Sequence, residues 1–194
     1  MTPPEARAAG ADDPIPLDAA DDRALVDAFV RGRREAFDEI VRRHRRPVYL
    51  LCFRFVSNHE DAADLAQDVF VRAFKGLGRF KNESSLSTWL YRVTVNTCLN
   101  QAALKRPETE PVDAADRVDA RAASPVDAVL RQESADAVRS AIRQLPPRQR
   151  ATLILRVYQE LSHEEIARVL GGTVGAAKTN FFHALQNLRR ALSA

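Results

Sequence analysis

The chain lacks long hydrophobic runs. Although 45% of its 194 residues are hydrophobic, no apolar stretch approaches the roughly 20 residues that a membrane-spanning helix requires. The N-terminus is polar and acidic and has no apolar central stretch, so we expect no secretory signal peptide. The sequence therefore predicts a cytoplasmic protein without membrane insertion.

Cysteine is scarce, with two residues. Cys52 and Cys98 lie in apolar helical segments, which in a cytosolic protein predicts reduced core residues. A metal site at Cys52 with His44 and His59 is conceivable, but the spacing is not that of a closed structural zinc site. The sequence has no glycine-rich phosphate loop and no catalytic dyad, so we expect no enzymatic activity, no metal and no cofactor.

Composition divides the chain into four parts. Residues 1–22 are rich in Ala, Pro and Asp, which predicts a disordered tail. Residues 105–125, rich in Pro, Asp, Glu and Ala, predict a flexible linker. Residues 23–104 and 126–194 carry apolar residues at helical spacing. The predicted fold is all-α, with an N-terminal helical bundle and a C-terminal helix-turn-helix domain joined by the linker.

Helix signals recur between Leu145 and Leu192. Ser162 and Glu165 have the spacing of a capping box, in which each side chain satisfies the other residue's backbone amide. A Gly-Gly pair beginning at Gly171 predicts a turn, because glycine enters the left-handed region freely. Thr173 can then cap a long final helix. This order is typical of a helix-turn-helix whose second helix reads duplex DNA.

The final helix has two different faces. We expect its inner face to be apolar: Val174, Ala177, Phe181, Leu185, Leu188 and Leu192. Its outer face carries small and polar residues that allow close approach to a major groove: Gly175, Ala176, Lys178, Thr179, Phe182, His183 and Asn187. Nearby arginines, Arg148, Arg150, Arg189 and Arg190, can reach phosphates. The alternative is a small helical bundle with a solvated basic face.

The N-terminal half contains a helix with one apolar and one acidic face, which Ser57 or Asn58 can cap. The apolar face is formed by Ala62, Leu65, Ala66, Val69, Phe70 and Ala73, and the acidic face by Asp61, Asp64, Gln67 and Asp68. The acidic face indicates docking to a basic partner, and the alternative is ordinary solvation of a surface helix.

A polar loop containing Lys81 and Asn82 precedes a helix that Ser84 or Ser85 can cap. In this helix Tyr91, Arg92 and Asn96 are expected to face outward. An aromatic ring beside a cation and an amide suits unpaired bases, which need stacking platforms and hydrogen bonds. Trp89 is expected to pack inward.

Three stretches occur in order: DAADLAQDVF at 61–70, STWLYRVTVN at 87–96, and the helix-turn-helix. Together they resemble the extracytoplasmic-function (ECF, group IV) sigma factors of the sigma-70 family, small bacterial initiation factors with two helical domains. The resemblance implies a promoter-specificity subunit that binds core RNA polymerase, recognises promoter DNA and assists strand opening. It also implies an anti-sigma factor that holds the free protein inactive.

The resemblance implies roles for individual residues. In the family the acidic helix docks on the clamp coiled coil of polymerase, which matches Asp61, Asp64, Leu65, Gln67, Asp68 and Phe70. The loop captures a flipped base of the minus-ten element and the next helix supports melting, which matches Lys81, Asn82, Glu83, Ser84, Trp89, Tyr91, Arg92 and Asn96. The reader helix binds the minus-thirty-five element, which matches Lys178, Thr179, Phe182 and His183, with Arg150 reaching the DNA backbone.

The chain departs from the family in the reader helix. Residues 174–180 read VGAAKTN, where many members have VGTVKSR, and His183 replaces a frequent arginine. This difference in the reader helix bears on which DNA sequence the protein prefers, and not on whether it binds DNA. Two other functions remain open: a helix-turn-helix repressor or activator that binds duplex DNA without core polymerase, and a helical adaptor without a nucleic-acid role.

The linker limits how far apart the domains can lie. A free coil of about 20 residues averages roughly 25 Å end to end and reaches about 65 Å when stretched. Two turns of DNA span about 70 Å. The domains can therefore sit close together when the protein is free, and far apart on a promoter only when the linker is nearly taut or the breadth of the domains themselves helps to span the distance. The resemblance implies a linker that threads polymerase channels, and the alternative is an inert tether.

Overall fold

The computed structural model describes residues 16–104 and 125–193, and within these ranges the regular structure is helical. The predicted linker, apart from residue 125, and most of the predicted tail lie outside the described residues. The helices are α1 (Asp22–Val30), α2 (Glu35–Val56), α3 (His59–Gly76), α4 (Leu86–Leu104), α5 (Pro125–Gln144), α6 (Pro147–Tyr158), α7 (His163–Leu170) and α8 (Val174–Leu192), with a 3-10 turn at Leu77–Arg79. The all-α prediction with two helical domains is confirmed.

Helices α1–α4 form the N-terminal domain. The Asn58 side chain accepts a hydrogen bond from the Asp61 backbone N–H at 2.9 Å and caps α3. Ser57, the other predicted cap, instead ends α2 in the left-handed region. The helices enclose an apolar core whose fully buried members come from all four: Leu25, Val26, Ile40, Val48, Leu51, Val69, Leu90 and Val95. Burying such side chains supplies most of the stability of a small helical domain.

The last residues of the predicted tail are ordered, and the prediction of disorder is wrong there. The guanidinium of Arg43 donates to the carbonyl oxygens of Ala20 at 2.6 Å, Asp18 at 2.9 Å and Leu17 at 3.1 Å. Ala20 is buried, and Asp21 caps α1. The composition of the tail could not predict these hydrogen bonds, because the donor, Arg43, lies in α2, more than 20 residues away in the chain.

Helices α6, α7 and α8 form the helix-turn-helix. Both hydrogen bonds of the predicted capping box are present, Ser162 N–H to Glu165 Oε2 at 2.8 Å and Glu165 N–H to Ser162 Oγ at 3.2 Å. Gly171 has φ 63° and ends α7. The Thr173 hydroxyl accepts from Ala176 N–H at 3.1 Å and caps α8. The local signals in the sequence therefore predicted these boundaries correctly.

The inner face of α8 differs from the prediction. Ala177 and Ala184 are buried, whereas Leu185 is 46% and Leu192 48% exposed. Phe181 and Leu188 pack against the core at its edge. The prediction included Ala177 but placed the large Leu185 rather than the neighbouring Ala184 on the inner face. The small alanine side chains let α8 approach its neighbours closely.

The two domains are in contact. One cluster of buried apolar side chains runs from Leu51, Cys98 and Val95 in the N-terminal domain to Ile154 and Ile166 in the C-terminal domain. Helix α4 packs on α7, and the end of α2 reaches α6.

No helix in the described ranges is both long and apolar enough to cross a membrane.

The capping box gives a stability prediction. Replacing Ser162 with Ala leaves the Glu165 amide without its hydroxyl acceptor, so Ser162→Ala is expected to lower the free energy of unfolding by about 1 kcal/mol. Urea denaturation of the purified variant measures the change. Ser162→Thr keeps the hydroxyl and is the control, with an expected change of a few tenths of a kcal/mol at most. Equal losses in both variants would show that the hydroxyl does not stabilise this helix.

Candidate functional site

One exposed face of α3 carries the predicted acidic surface. Asp64, Gln67 and Asp68 are exposed, and their spacing places them together on the helix. Val71, 47% exposed, and Phe74, 40% exposed, continue the same face. Sequence reasoning missed these two apolar residues, although they follow Gln67 at spacings of four and seven. We call this surface, Asp64, Gln67, Asp68, Val71 and Phe74, the α3 face.

Three residues predicted for this surface lie elsewhere. Leu65 is only 4% exposed and belongs to the buried cluster. Phe70 is half-buried and packs against the cores on both sides of α3. Both face inward with Ala62 and Val69, so they add little area to the exposed surface of α3, and their contact with polymerase stays a prediction. Asp61 is half-buried at the N-terminus of α3 and lines a cavity between the domains.

The loop before α4 presents three predicted residues to solvent. Lys81, Asn82 and Glu83 are exposed, and Asn82 has φ 55°, a conformation that turns the backbone sharply. Ser84 is half-buried, and its hydroxyl donates to the Ser85 carbonyl at 3.3 Å. The Ser85 hydroxyl accepts from Thr88 N–H at 3.1 Å. This cap ties the loop to α4.

The predicted base-binding residues of α4 divide into two groups. Arg92 and Asn96 are exposed on its outer face. Trp89 is half-buried, with its ring centroid 5.4 Å from that of Phe80. Tyr91 is also half-buried and packs against the core, and burial raises the pKa of its hydroxyl. The two polar residues therefore lie in solvent, whereas the two aromatic rings are fixed by packing.

The four residues predicted to read DNA are exposed on the outer face of α8. Lys178, Thr179, Phe182 and His183 are exposed, Phe182 by 58%. We call them the reader face. Asn187, also expected there, instead donates its side-chain amide to Gln149 Oε1 at 2.8 Å.

Arg150 does not lie on the reader face. Its guanidinium points towards the N-terminal domain, with Cζ 5.8 Å from the Phe55 ring centroid, and Nη1 donates to the Arg143 carbonyl at 3.3 Å. Burial lowers the pKa of this group. In this arrangement α6 turns the Arg150 side chain towards α2 and α4, and its contact with the DNA backbone stays a prediction.

The cysteines and histidines have structural contacts. Cys52 and Cys98 are buried free thiols, and contact with Cys52, together with burial, raises the pKa of Cys98. His44 Nε2 lies 3.0 Å from Asp22 Oδ2, and His59 Nδ1 lies 2.6 Å from the Tyr49 hydroxyl. Across residues 16–104 and 125–193, no three metal-binding side chains come together.

Two family models match the chain. Sigma-70 region 2 matches residues 40–106, and Sigma-70, region 4 matches residues 135–188. The first contains the α3 face and α4, and the second contains the reader face.

Relatives match most of the chain. The RNA polymerase sigma-H factor of Pseudomonas aeruginosa is 36% identical over 180 residues, which cover 88% of this chain and 93% of the relative. The ECF RNA polymerase sigma-E factor of Escherichia coli K12 is 33% identical over 172 residues, covering 84% and 90%.

Solved structures share the fold. CnrH, solved in complex with the cytosolic domain of CnrY, aligns with a TM-score of 0.66 at 25% identity, covering 89% of this chain and 97% of that one. The sigma factor RpoE of Bartonella quintana, solved in complex with the anti-sigma factor NepR, aligns with a TM-score of 0.62 at 20% identity, covering 81% and 97%. The chain belongs to the extracytoplasmic-function RNA polymerase sigma factors of the sigma-70 family.

Proposed function

We propose that this protein is a promoter-specificity subunit that binds core RNA polymerase, recognises promoter DNA and assists strand opening at transcription initiation, without catalysis of its own. One observation carries the proposal: two solvent-exposed faces of different chemistry, the α3 face and the reader face, lie in separate domains that match sigma-70 regions 2 and 4. A protein with this role acts in the cytoplasm, where polymerase and promoter DNA are found.

The α3 face is the proposed polymerase contact. Asp64 and Asp68 are exposed carboxylates that attract a basic surface and orient it. Val71 and Phe74 add apolar area beside them, and the combination of apolar area with charged residues is typical of protein interfaces. Asp61 at the start of α3 belongs to the proposed contact only when the domains separate, because it now borders the cavity between them.

The loop and α4 are the proposed minus-ten contact. Removing a base from the stack costs a few kcal/mol of stacking and pairing free energy, and contacts in a pocket or on a stacking platform must offset this cost. Lys81, Asn82, Glu83 and Ser84 form the loop that would hold the flipped base. Arg92 and Asn96 supply charge and hydrogen bonds on the outer face of α4, and Trp89 and Tyr91 border it.

The reader face is the proposed minus-thirty-five contact. Lys178 supplies positive charge for a phosphate or a guanine edge, and Thr179 supplies a hydroxyl that suits several bases. Phe182 is exposed and apolar, as contact with a thymine methyl group requires. His183 adds a ring nitrogen for hydrogen bonding.

The proposed domains are residues 23–104 for polymerase and minus-ten contacts and 126–194 for the minus-thirty-five contact, with 1–22 as a tail and 105–125 as a linker. Only residues 107–134 separate the two matched regions, and this stretch is shorter than a domain of ordinary size. The absence of room for a further domain between the matched regions supports assignment to group IV.

We also infer an anti-sigma partner. CnrH, which shares this fold, was solved bound to the cytosolic domain of CnrY.

Run-off transcription with purified core polymerase tests the proposed function. Core enzyme with this protein is expected to start transcripts at defined sites on a genomic library, and core enzyme alone is not. Tight binding to a palindromic duplex without polymerase, together with no specific transcripts, would instead support the repressor or activator alternative.

Reversing the charge of the α3 face is expected to disrupt polymerase binding. The double variant Asp64→Arg/Asp68→Arg presents positive charge to a basic partner surface and should weaken binding to core enzyme at least tenfold. Fluorescence anisotropy of labelled protein measures the affinity. Asp27→Arg/Asp38→Arg makes the same charge change at exposed positions on α1 and α2, and its affinity should stay near that of the parent. Equal affinities of all three proteins would reject the assignment.

Removing Lys178 is expected to change the salt dependence of DNA binding. If Lys178 contacts one phosphate, Lys178→Ala should reduce the slope of log K against log salt concentration by about one unit. Titrations of holoenzyme against promoter DNA at several salt concentrations measure this slope. Lys75→Ala removes an exposed lysine of the other domain and serves as the comparison. A slope that Lys178→Ala leaves unaltered would exclude this contact.

A further inference from the structure

Two free thiols meet in the core of the N-terminal domain. Cys52 lies in α2 and is fully buried, and Cys98 lies in α4 and is 2% exposed. The Cys52 thiol is a hydrogen-bond partner of the Cys98 thiol. A single buried cysteine usually acts as a small apolar residue. Two thiols in contact differ, because together they supply a pair of soft sulfur donors for one ion.

A cavity gives access to this pair of thiols. It has a volume of about 150 Å³ and lies beside Cys98. Its lining residues are Phe55, Val56, Asp61, Leu65, Cys98, Gln101 and Arg150. Several of them are half-buried rather than buried, so the cavity opens towards solvent. An ion site in a core needs such an entry path, and the void leaves room for the Cys98 side chain to shift when an ion binds.

The cavity also contains a cation that lacks a hydrogen-bond acceptor. Arg150 lines the same cavity as Cys98, and the two groups interact electrostatically. Arg150 Nε is buried and has no hydrogen-bond partner within the described part of the chain. Buried donors are nearly always paired, so an orphaned one needs an explanation. A negatively charged sulfur centre at Cys98 would supply the missing acceptor.

We propose that Cys52 and Cys98 bind one soft monovalent cation, Cu(I), as a two-coordinate bis-thiolate site. On binding, both S–H bonds break, two metal–sulfur bonds form, and the two protons leave to water in the cavity. Two thiols and one Cu⁺ thus give a complex of charge −1 and two protons. The Arg150 guanidinium balances this charge, as a buried ion requires. The inference goes beyond the proposed function and does not depend on it.

The available ligands decide which ion fits. Protein zinc sites use four ligands, or three ligands and a water, and no three metal-binding side chains come together in residues 16–104 and 125–193. Calcium and magnesium need an oxygen shell. Thiolates select Cu(I), for which two sulfur donors suffice. The apolar cluster around both cysteines limits access of water, which favours the ion of lower charge. Sequence spacing could not indicate this site, because the two cysteines lie in different helices.

An anaerobic competition titration tests the site. The reduced full-length protein competes for Cu(I) with the chelator bicinchoninate, whose absorbance reports the copper that the chelator keeps. The parent is expected to take up one Cu(I) per chain. Cys52→Ala and Cys98→Ala should lower the affinity at least a hundredfold, as should Cys98→Ser, the variant closest in size should alanine impair folding. His59→Gln, which removes an exposed histidine, should bind copper as the parent does.

Equal uptake by the parent and the cysteine variants would place the copper on surface groups and overturn the proposal, as would no uptake by the parent. X-ray absorption at the copper edge then examines the ligands of the bound ion. Two sulfur neighbours are expected. A nitrogen neighbour, or three or more ligands, would contradict the two-coordinate site.

Thermal denaturation distinguishes a site built by the fold from thiols that bind copper in the unfolded chain. A ligand that binds the native state raises Tm, whereas one that prefers the unfolded state lowers it. One equivalent of Cu(I) is expected to raise the Tm of the parent and to leave that of the double variant Cys52→Ala/Cys98→Ala unchanged. An unchanged or lower Tm of the parent would overturn the site.

The role of Arg150 is tested by the same titration. Arg150→Met removes the positive charge and should weaken Cu(I) binding at least tenfold, whereas Arg150→Lys keeps the charge and should weaken it less. Arg148→Met, at an exposed position of α6, is the control and should bind as the parent does. Parent-like affinity of Arg150→Met would overturn the charge balance assigned to Arg150. None of these measurements contains polymerase or DNA, so their failure leaves the proposed function standing.

Discussion

The structure depends on the burial of one continuous apolar cluster that α2, α3 and α4 share with α6, α7 and α8. Burying the apolar side of each helix in this cluster decides which of its residues are left outside. The acidic residues of α3 and the polar residues of α8 become surfaces because Val69 and Ala184 face inward. Exposure of the proposed contact residues is therefore a consequence of core packing rather than a separate feature.

The two proposed binding faces lie in different parts of the chain. The α3 face and the reader face are carried by different helices, each positioned by local caps such as Asn58 and Thr173. Their relative placement depends on the interface, where apolar packing and the contact of the Arg54 guanidinium with the Tyr158 ring join the two domains.

Sequence reasoning recovered the local structure well. The capping box at Ser162, the glycine turn at Gly171 and the exposed positions of Asp64 and Lys178 agree with the structure. The differences between prediction and structure concern apolar residues that could either face the core or lie on the surface. Leu65 and Phe70 match a docking motif but lie on the core side of α3, and Leu185 is apolar but exposed. Helical spacing alone does not say which edge of an apolar stripe a neighbouring helix will cover.

The sequence by itself determined the boundaries of the helix-turn-helix and the alternation of apolar and polar faces, because caps, glycine turns and helical periodicity act within a few residues of one another. The family followed from the resemblance of the motifs at 61–70 and 87–96 to those of known members. Only the tertiary structure decided that Arg43 anchors residues 17–20, that Arg150 turns away from the reader face and that Arg54 meets Tyr158. These contacts join residues far apart in the chain, and no local pattern encodes the direction in which a long cationic side chain will point.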